Sequence, residues 1–139
     1  MSYFADYPIE AIQSADFVRR LILRDTNKNQ RQLVGFTALF TIRAFSSTGP
    51  ILLEATTENG MITITQGTGI IDIRIRSELI QRINPGQNVH ELVLISEQGW
   101  RTVFMRGTFT IIPGIAVRRQ GSTYYISDRD GVPVAGQNT

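Results

Sequence analysis

The sequence predicts an all-β protein, an antiparallel β-sandwich of about seven strands. Between residues 16 and 112, apolar and polar side chains alternate with period two in successive short segments, which is typical of strands with one buried face. Turn-forming residues separate these segments at short, regular intervals. The chain has 139 residues, of which 42% are hydrophobic, and this is enough for one domain with a single core.

Five strand-like segments come first along the chain. Asp16–Asp25 and Phe36–Arg43 carry large apolar side chains at alternate positions, although Arg19 interrupts the pattern of the former. Ile51–Ala55 is a short apolar run, and Met61–Gln66 and Ile70–Arg76 alternate isoleucine with polar residues. Each is predicted to be a strand.

Two turns are expected to join the last three of these segments into a meander. Asn59-Gly60 lies between apolar runs, and this pair is a strong hairpin signal because both residues tolerate positive φ. Gly67-Thr68-Gly69 turns the chain again between two strands. No helix follows this glycine pair at once, so we do not interpret it as a phosphate-binding loop.

The pattern changes at Ser77–Ile83, which fits a single helical turn capped by Ser77. Asn88–Ile95 and Arg101–Ile112 then predict two more strands. The inward positions of all segments define the expected core, in which replacement of Phe40 by alanine should be strongly destabilising. The expected core residues are Phe17, Leu21, Phe36, Phe40, Ile42, Leu53, Ile62, Ile64, Ile73, Ile75, Leu92, Leu94, Val103 and Phe109.

Three regions follow from this pattern. Residues 1–15 form an N-terminal segment without clear periodicity, residues 16–113 form the sandwich, and residues 114–139 form a C-terminal arm or small hairpin. A two-stranded hairpin is marginally stable alone in water. The arm is therefore expected either to fold back on the sandwich or to dock on another molecule, and we favour docking because the sandwich is complete without it.

Composition excludes several functional classes. The sequence has no apolar run near the ~20 residues that span a bilayer, and it has no cysteine for a disulfide or thiolate metal site. The first residues lack the layout of a signal peptide. There are 14 basic and 12 acidic residues, and all the basic residues except Lys28 are arginines. Arginine is enriched at protein interfaces, although genome base composition explains the bias equally well.

The search for catalytic chemistry yields no site. His90 is the single histidine and shares a strand face with leucines, so we interpret it as a satisfied core residue. Asp128-x-Asp130-Gly131 resembles the start of a calcium loop but lacks the later ligands, which favours a plain turn. Glu54 and Glu58 are close enough in sequence for a glycosidase pair, but exposed charge is the simpler explanation. We expect no catalytic residue, no metal site and no cofactor.

Seven residues are candidates for an interface with other proteins. They are Arg74, Arg76, Arg118, Arg119, Tyr124, Tyr125 and Ile126. The arginines also raise the alternative of a single-stranded nucleic-acid-binding domain, which reads bases by stacking them on aromatic side chains. Asp72 and Glu78 dilute the charge, and the tyrosines lie at the chain ends, so nucleic acid is the weaker interpretation. A carbohydrate-binding module remains a further alternative, with Trp100 and Tyr124 lining a shallow groove.

An ordered set of short motifs runs through residues 16–119. The motifs are Leu23-Arg24-Asp25, Gly35-Phe36-Thr37-Ala38, Ile42-Arg43, Leu53-x-Ala55-x-Thr57-x-Asn59-Gly60-x-Ile62-x-Ile64, Gly69-x-Ile71-x-Ile73, Pro85-Gly86, Glu91-Leu92 and Arg106-Gly107-Thr108-Phe109-Thr110-Ile111-x-Pro113. In this order they resemble the small immunoglobulin-like domains of tailed bacteriophages, found in neck, tail and baseplate proteins and at the N-terminus of baseplate upper proteins. One departure is that Asn88 and His90 stand where related sandwiches often place a corner tyrosine.

The resemblance implies an immunoglobulin-like sandwich and a non-catalytic role as a virion structural protein. The expected partners are other neck, tail or baseplate subunits or fibres, with homo-oligomers in the assembled particle and no membrane partner. The expected location is the virion, after synthesis in the cytoplasm of the bacterial host.

Overall fold

The computed structural model describes residues 5–24, 27 and 32–116, and this part of the chain contains nine strands and one short helix. The strands are β1 (Ala5–Asp6), β2 (Ile9–Ile12), β3 (Phe17–Ile22), β4 (Thr37–Ala44), β5 (Ile51–Thr56), β6 (Ile62–Ile64), β7 (Ile70–Ile75), β8 (Gly86–Ile95) and β9 (Arg101–Ile112). The helix α1 (Ser77–Ile80) lies between β7 and β8.

The strands form two sheets that face each other. The larger sheet has the order β1-β9-β8-β4-β5, with β2 also paired to β9, and the smaller sheet has the order β3-β7-β6. The predicted immunoglobulin-like sandwich is confirmed, and β3 to β9 are the seven strands expected between residues 16 and 112. The pairing is antiparallel except for β1 and β2, which run parallel to β9.

The strands at residues 5–6 and 9–12 belong to the sandwich, which corrects the division that left residues 1–15 outside it. Ile9–Ile12 pairs with residues 109–112 of β9, and Ile9 and Ala11 are buried. Four residues after a proline are too few to reveal period two in the sequence. The strand forms because β9 offers a long, open edge to it.

The predicted meander of β5, β6 and β7 is wrong. β5 pairs with β4 in the larger sheet, whereas β6 pairs with β7 in the smaller one. Residues 57–61 therefore cross between sheets and do not form a hairpin. Asn59 closes the crossing with its side chain, whose Oδ1 accepts from the N–H groups of Thr56 and Met61, both at 3.0 Å. Gly60 has positive φ there and Asn59 does not, although a type I′ hairpin would need both.

The predicted helical turn is present, but Ser77 does not cap it. Arg76 occupies the N-cap position, with extended backbone and no side-chain hydrogen bond. The N–H of Ser77 donates instead to Asp16 Oδ1 at 2.7 Å. An acidic residue from the β2–β3 connection therefore satisfies the helix start that the serine was expected to satisfy. Ile80 and Ile83 are buried below the turn.

Twelve of the fourteen expected core residues are buried, and Phe36 and Val103 are half-buried. Phe36 precedes β4 and packs against the rim of the core. Val103 lies next to a shift in the register of β8 and β9, since Leu92 pairs with Met105 while Val93 pairs with Val103. A β-bulge of this kind inverts the side-chain alternation, so the residues beyond it change faces.

Three phenylalanines occupy the centre of the interior. The Phe109 ring centroid lies 5.4 Å from that of Phe17 and 6.1 Å from that of Phe40. These rings come from β9, β3 and β4, and therefore from both sheets. Arg19, which interrupts the alternation of β3, lies with its guanidinium 5.3 Å from the Phe17 centroid and donates to Tyr7 Oη at 2.8 Å. A stacked arginine at the margin of the core explains the exception in the pattern.

Candidate functional site

The interface residues proposed from the sequence are only partly within the described structure. Arg74 lies on the exposed face of β7 beside Val18, and Arg76 follows the strand and is exposed. The backbone carbonyl of Arg76 accepts from Leu79 at 3.0 Å and starts α1. Arg118, Arg119, Tyr124, Tyr125 and Ile126 lie outside the described residues.

The outer face of the smaller sheet carries one ion pair. Arg20 Nε lies 2.8 Å from Asp72 Oδ1, and a second contact of 3.3 Å joins Nη2 to Oδ2. This hydrogen bonding raises the pKa of Arg20 further above its ordinary value, with the negative charge of Asp72 acting in the same direction. The pair is exposed and stabilises the fold little. Asp72 thus neutralises the charge of Arg20 beside Arg74, and this weakens the attraction of the face for phosphate groups.

The outer face of the larger sheet forms a groove that the sequence analysis did not identify. The register places five side chains in one row across the strands, from β1 to β5. They are Asp6, Arg106, Glu91, Thr41 and Glu54. A cavity of about 500 Å³ lies on this row and is bordered further by Leu39, Arg43, Ser47, Ile51, Val89, Val93, Arg101 and Thr108.

The charges of the groove are balanced and its centre is aliphatic. Three carboxylates and three guanidinium groups line it, and Arg106 Nε lies 3.1 Å from Glu91 Oε2. Leu39, Val89 and Val93 supply an apolar floor beside this pair. Among the described residues, no phenylalanine, tyrosine or tryptophan lines the groove, so the described lining offers no broad stacking platform for a sugar or a base. Trp100, proposed for a carbohydrate site, is 76% exposed in the β8–β9 turn.

An exposed phenylalanine lies in the loop after β4, between Arg43 and Ser47, which both line this groove. Phe45 follows β4, is 85% exposed and has a φ of 66°. It is the one non-glycine residue with positive φ among residues 5–24, 27 and 32–116. A large apolar residue directly before the polar Ser-Ser-Thr-Gly-Pro loop does not fit the composition of an exposed loop. That misfit was the available sequence signal for a surface role.

His90 is buried, as predicted, but it is not fully satisfied. Its Nε2–H donates to the Tyr7 carbonyl at 2.6 Å, while Nδ1 is buried and has no hydrogen-bond partner among the described residues. Burial lowers the pKa of His90 below its ordinary value. The positive charge of Arg19 acts in the same direction, and the Tyr7 hydrogen bond and Asp6 act against it. The centroid of the His90 ring lies 5.3 Å from that of Phe40, so the histidine packs as part of the core.

The other groups considered for chemistry occupy separate places. Glu54 lies in the groove row, whereas Glu58 lies in the crossing loop and accepts from Thr57 Oγ1 at 2.7 Å. The turn at Gly67 joins β6 to β7, where Thr68 Oγ1 donates to the Thr65 carbonyl at 2.8 Å. Asp128 and Asp130 lie outside the described residues. Within the described part of the chain, no three His, Cys, Asp or Glu side chains cluster as metal ligands would.

Comparisons with known proteins add a fold-level likeness. No protein-family model matches the chain, and no curated protein matches it. A crystal structure of CopC from Methylosinus trichosporium OB3b is similar at a TM-score of 0.43 and 13% identity, covering 80% of this chain and 89% of that chain. A likeness at this level does not identify a function. None of the helices in the described ranges has the length and apolar character needed to cross a membrane.

Proposed function

We propose that the chain is a non-catalytic structural protein of a tailed-bacteriophage virion. It would act in the neck, tail or baseplate as an adaptor that joins neighbouring subunits or fibres. The observation that carries the proposal is the ordered set of motifs resembling phage immunoglobulin-like domains, which falls on successive strands of one sandwich. Gly35–Ala38 leads into β4, Glu91-Leu92 lies within β8, and the closing motif spans the end of β9.

The residues of the closing motif have structural tasks. Arg106 pairs with Glu91 on the outer face, and Phe109 fills the centre of the core. Gly107 lets the Tyr7–Pro8 backbone approach β9, since a Cβ atom there would lie 2.6 Å from the Tyr7 carbonyl oxygen. A motif whose residues position strands supports a scaffold role better than a chemical one.

The edges of the sandwich support assembly with other proteins. Among the described residues, β5 pairs with β4 alone and β6 pairs with β7 alone, so each leaves one edge unpaired. Unpaired edges accept an added strand from another chain. We propose that residues 114–139 act as an arm toward adjacent subunits.

Three observations test this function. Genes beside the coding sequence should encode tail or baseplate proteins, and the protein should co-purify with intact particles in density gradients. A chain truncated after Pro113 should retain a cooperative thermal transition but fail to enter particles. Normal incorporation of the truncated chain would contradict the arm hypothesis, and absence of the full-length protein from purified particles would contradict the virion role.

A further inference from the structure

Phe45 has a conformation and an exposure that the fold itself does not require. Its φ of 66° is strained for a bulky side chain, and the Ser46 N–H donates back to the Ala44 carbonyl at 2.7 Å to close a γ-turn around it. Glycine or asparagine would adopt this backbone at lower cost. The phenyl ring, 85% exposed, gains little compensating burial from the described part of the chain. A strained residue that the fold does not use is an indicator of function.

The loop that carries Phe45 is held rigidly. Arg43 Nη1 donates to the Gly49 carbonyl at 2.7 Å, the Gly49 N–H donates to the Ser46 carbonyl at 3.0 Å, and the Ala44 N–H donates to the Pro50 carbonyl at 3.0 Å. Gly49 also packs so closely on the Ala44 carbonyl that no side chain fits there. A rigid loop presenting an aromatic ring loses little entropy on binding, as effective interface anchors do.

The groove on the larger sheet complements this ring. Its floor of Leu39, Val89 and Val93 is aliphatic, and its volume of about 500 Å³ leaves space for a phenyl group. Ser47 and Ile51, which border the groove, belong to the Phe45 loop and to β5. One molecule therefore carries a projecting ring and a receiving groove side by side. Such an adjacency is what a two-fold contact requires, because each copy then both inserts and receives.

We propose that the outer face of the larger sheet binds a second copy of this chain, with Phe45 of each copy inserted into the groove of the other. Charge complementarity supports a second copy as the occupant. Among the described residues the groove presents three carboxylates and three arginines, so two identical faces meet without net repulsion. The cavity on this face favours insertion of a side chain.

The test measures the oligomeric state of the full-length chain by sedimentation velocity over a concentration series. The wild type should show a reversible monomer–dimer equilibrium. Phe45→Gly should weaken dimerisation by about 30-fold or more, the effect of losing an interface hot spot. Its monomer should melt at a higher temperature than the wild-type monomer, because glycine relieves the strained φ. A ring needed for folding would give the opposite change in melting temperature.

Matched variants locate the receiving groove. Thr41→Arg places a large side chain at the centre of the groove row and should also abolish the dimer. Thr63→Arg, an exposed threonine on the smaller sheet, and Val18→Ala, 57% exposed on the same sheet, should leave it unchanged. Mixing Phe45→Gly with Thr41→Arg should restore partial association, since the mixed pair retains one intact contact that neither variant has alone.

Several outcomes would overturn the inference. A wild type that is monomeric throughout the series, a dimer that survives Phe45→Gly, or the absence of rescue on mixing would each do so. A dimer lost only on removing residues 117–139 would assign the association to the C-terminal segment instead. The inference does not depend on the proposed virion role, because it concerns the purified chain, whereas the virion role is tested in particles.

Discussion

Gly107 provides the sharpest test of how the N-terminal strands are attached. A Cβ atom at this position would lie 2.6 Å from the Tyr7 carbonyl oxygen and 2.8 Å from its carbon, so Gly107→Ala forces the Tyr7–Pro8 backbone away from β9. Overpacking of this kind costs about 1–3 kcal/mol. The same displacement removes the acceptor that holds His90 Nε2 at 2.6 Å. Since His90 Nδ1 is already without a partner, losing this bond adds about 1–3 kcal/mol.

Gly107→Ala should therefore lower the free energy of unfolding by about 2–6 kcal/mol, measured by urea denaturation followed by circular dichroism. Thr108→Ala, the half-buried next residue on the outer face, is the control and should change stability much less. The double variant with His90→Gln should lose less than the sum of the single losses, because both act through the Tyr7 carbonyl. Wild-type stability of Gly107→Ala, or strict additivity in the cycle, would refute this account.

Three further predictions concern the core and its margins. Burial lowers the pKa of His90, so the contribution of His90 to stability is present above about pH 6.5 and is lost as pH falls through the folded-state pKa, by up to about 1.4 kcal/mol per pH unit. Urea titrations at several pH values should show that His90→Gln loses less stability in acid than the wild type does. An equal loss in both proteins would contradict this prediction. Phe40→Ala removes a fully buried ring and should cost about 3–5 kcal/mol in the same assay, whereas a neutral effect would contradict the inward orientation of β4. Gln13 donates to the Ile83 carbonyl at 3.0 Å and accepts from Gly114 N–H at 3.3 Å, so Gln13→Ala should cost about 1–3 kcal/mol, with faster amide hydrogen exchange at Gly114 as the specific signature.

The sequence was sufficient for the strands but not for their pairing. Alternation identified β3 to β9 because each strand buries one face, and burial depends on local pattern. Nothing in that pattern says which sheet a strand joins. β5 and β6 were therefore assigned to one hairpin through Asn59-Gly60, although the Asn59 side chain stabilises a crossing between sheets. The bulge after Leu92 is equally invisible, and it turned Val103 out of the expected core.

The candidate site was beyond the reach of periodicity for a different reason. The groove row from Asp6 to Glu54 joins residues up to 100 positions apart along the chain, and it exists only once the register of five strands is fixed. The interface that arginine content predicts at Arg74 and Arg76, on and just after β7, stays a prediction. The sequence could have indicated Phe45, because a bulky apolar residue at the edge of a polar loop departs from the alternation of buried apolar and exposed polar residues in the strands.

The parallel pairing of β2 with β9 has a mechanical consequence. Ala5 lies beside Met105, and the chain leaves the sheet after Ile112. The points at which the chain enters and leaves the sheet are therefore about 23 Å apart along β9. Tension applied between them pulls the four residue pairs from Ile9–Phe109 to Ile12–Ile112 in shear. Their hydrogen bonds must then rupture together and cannot open one after another. This arrangement makes the sandwich resistant to tension applied along the direction of β9.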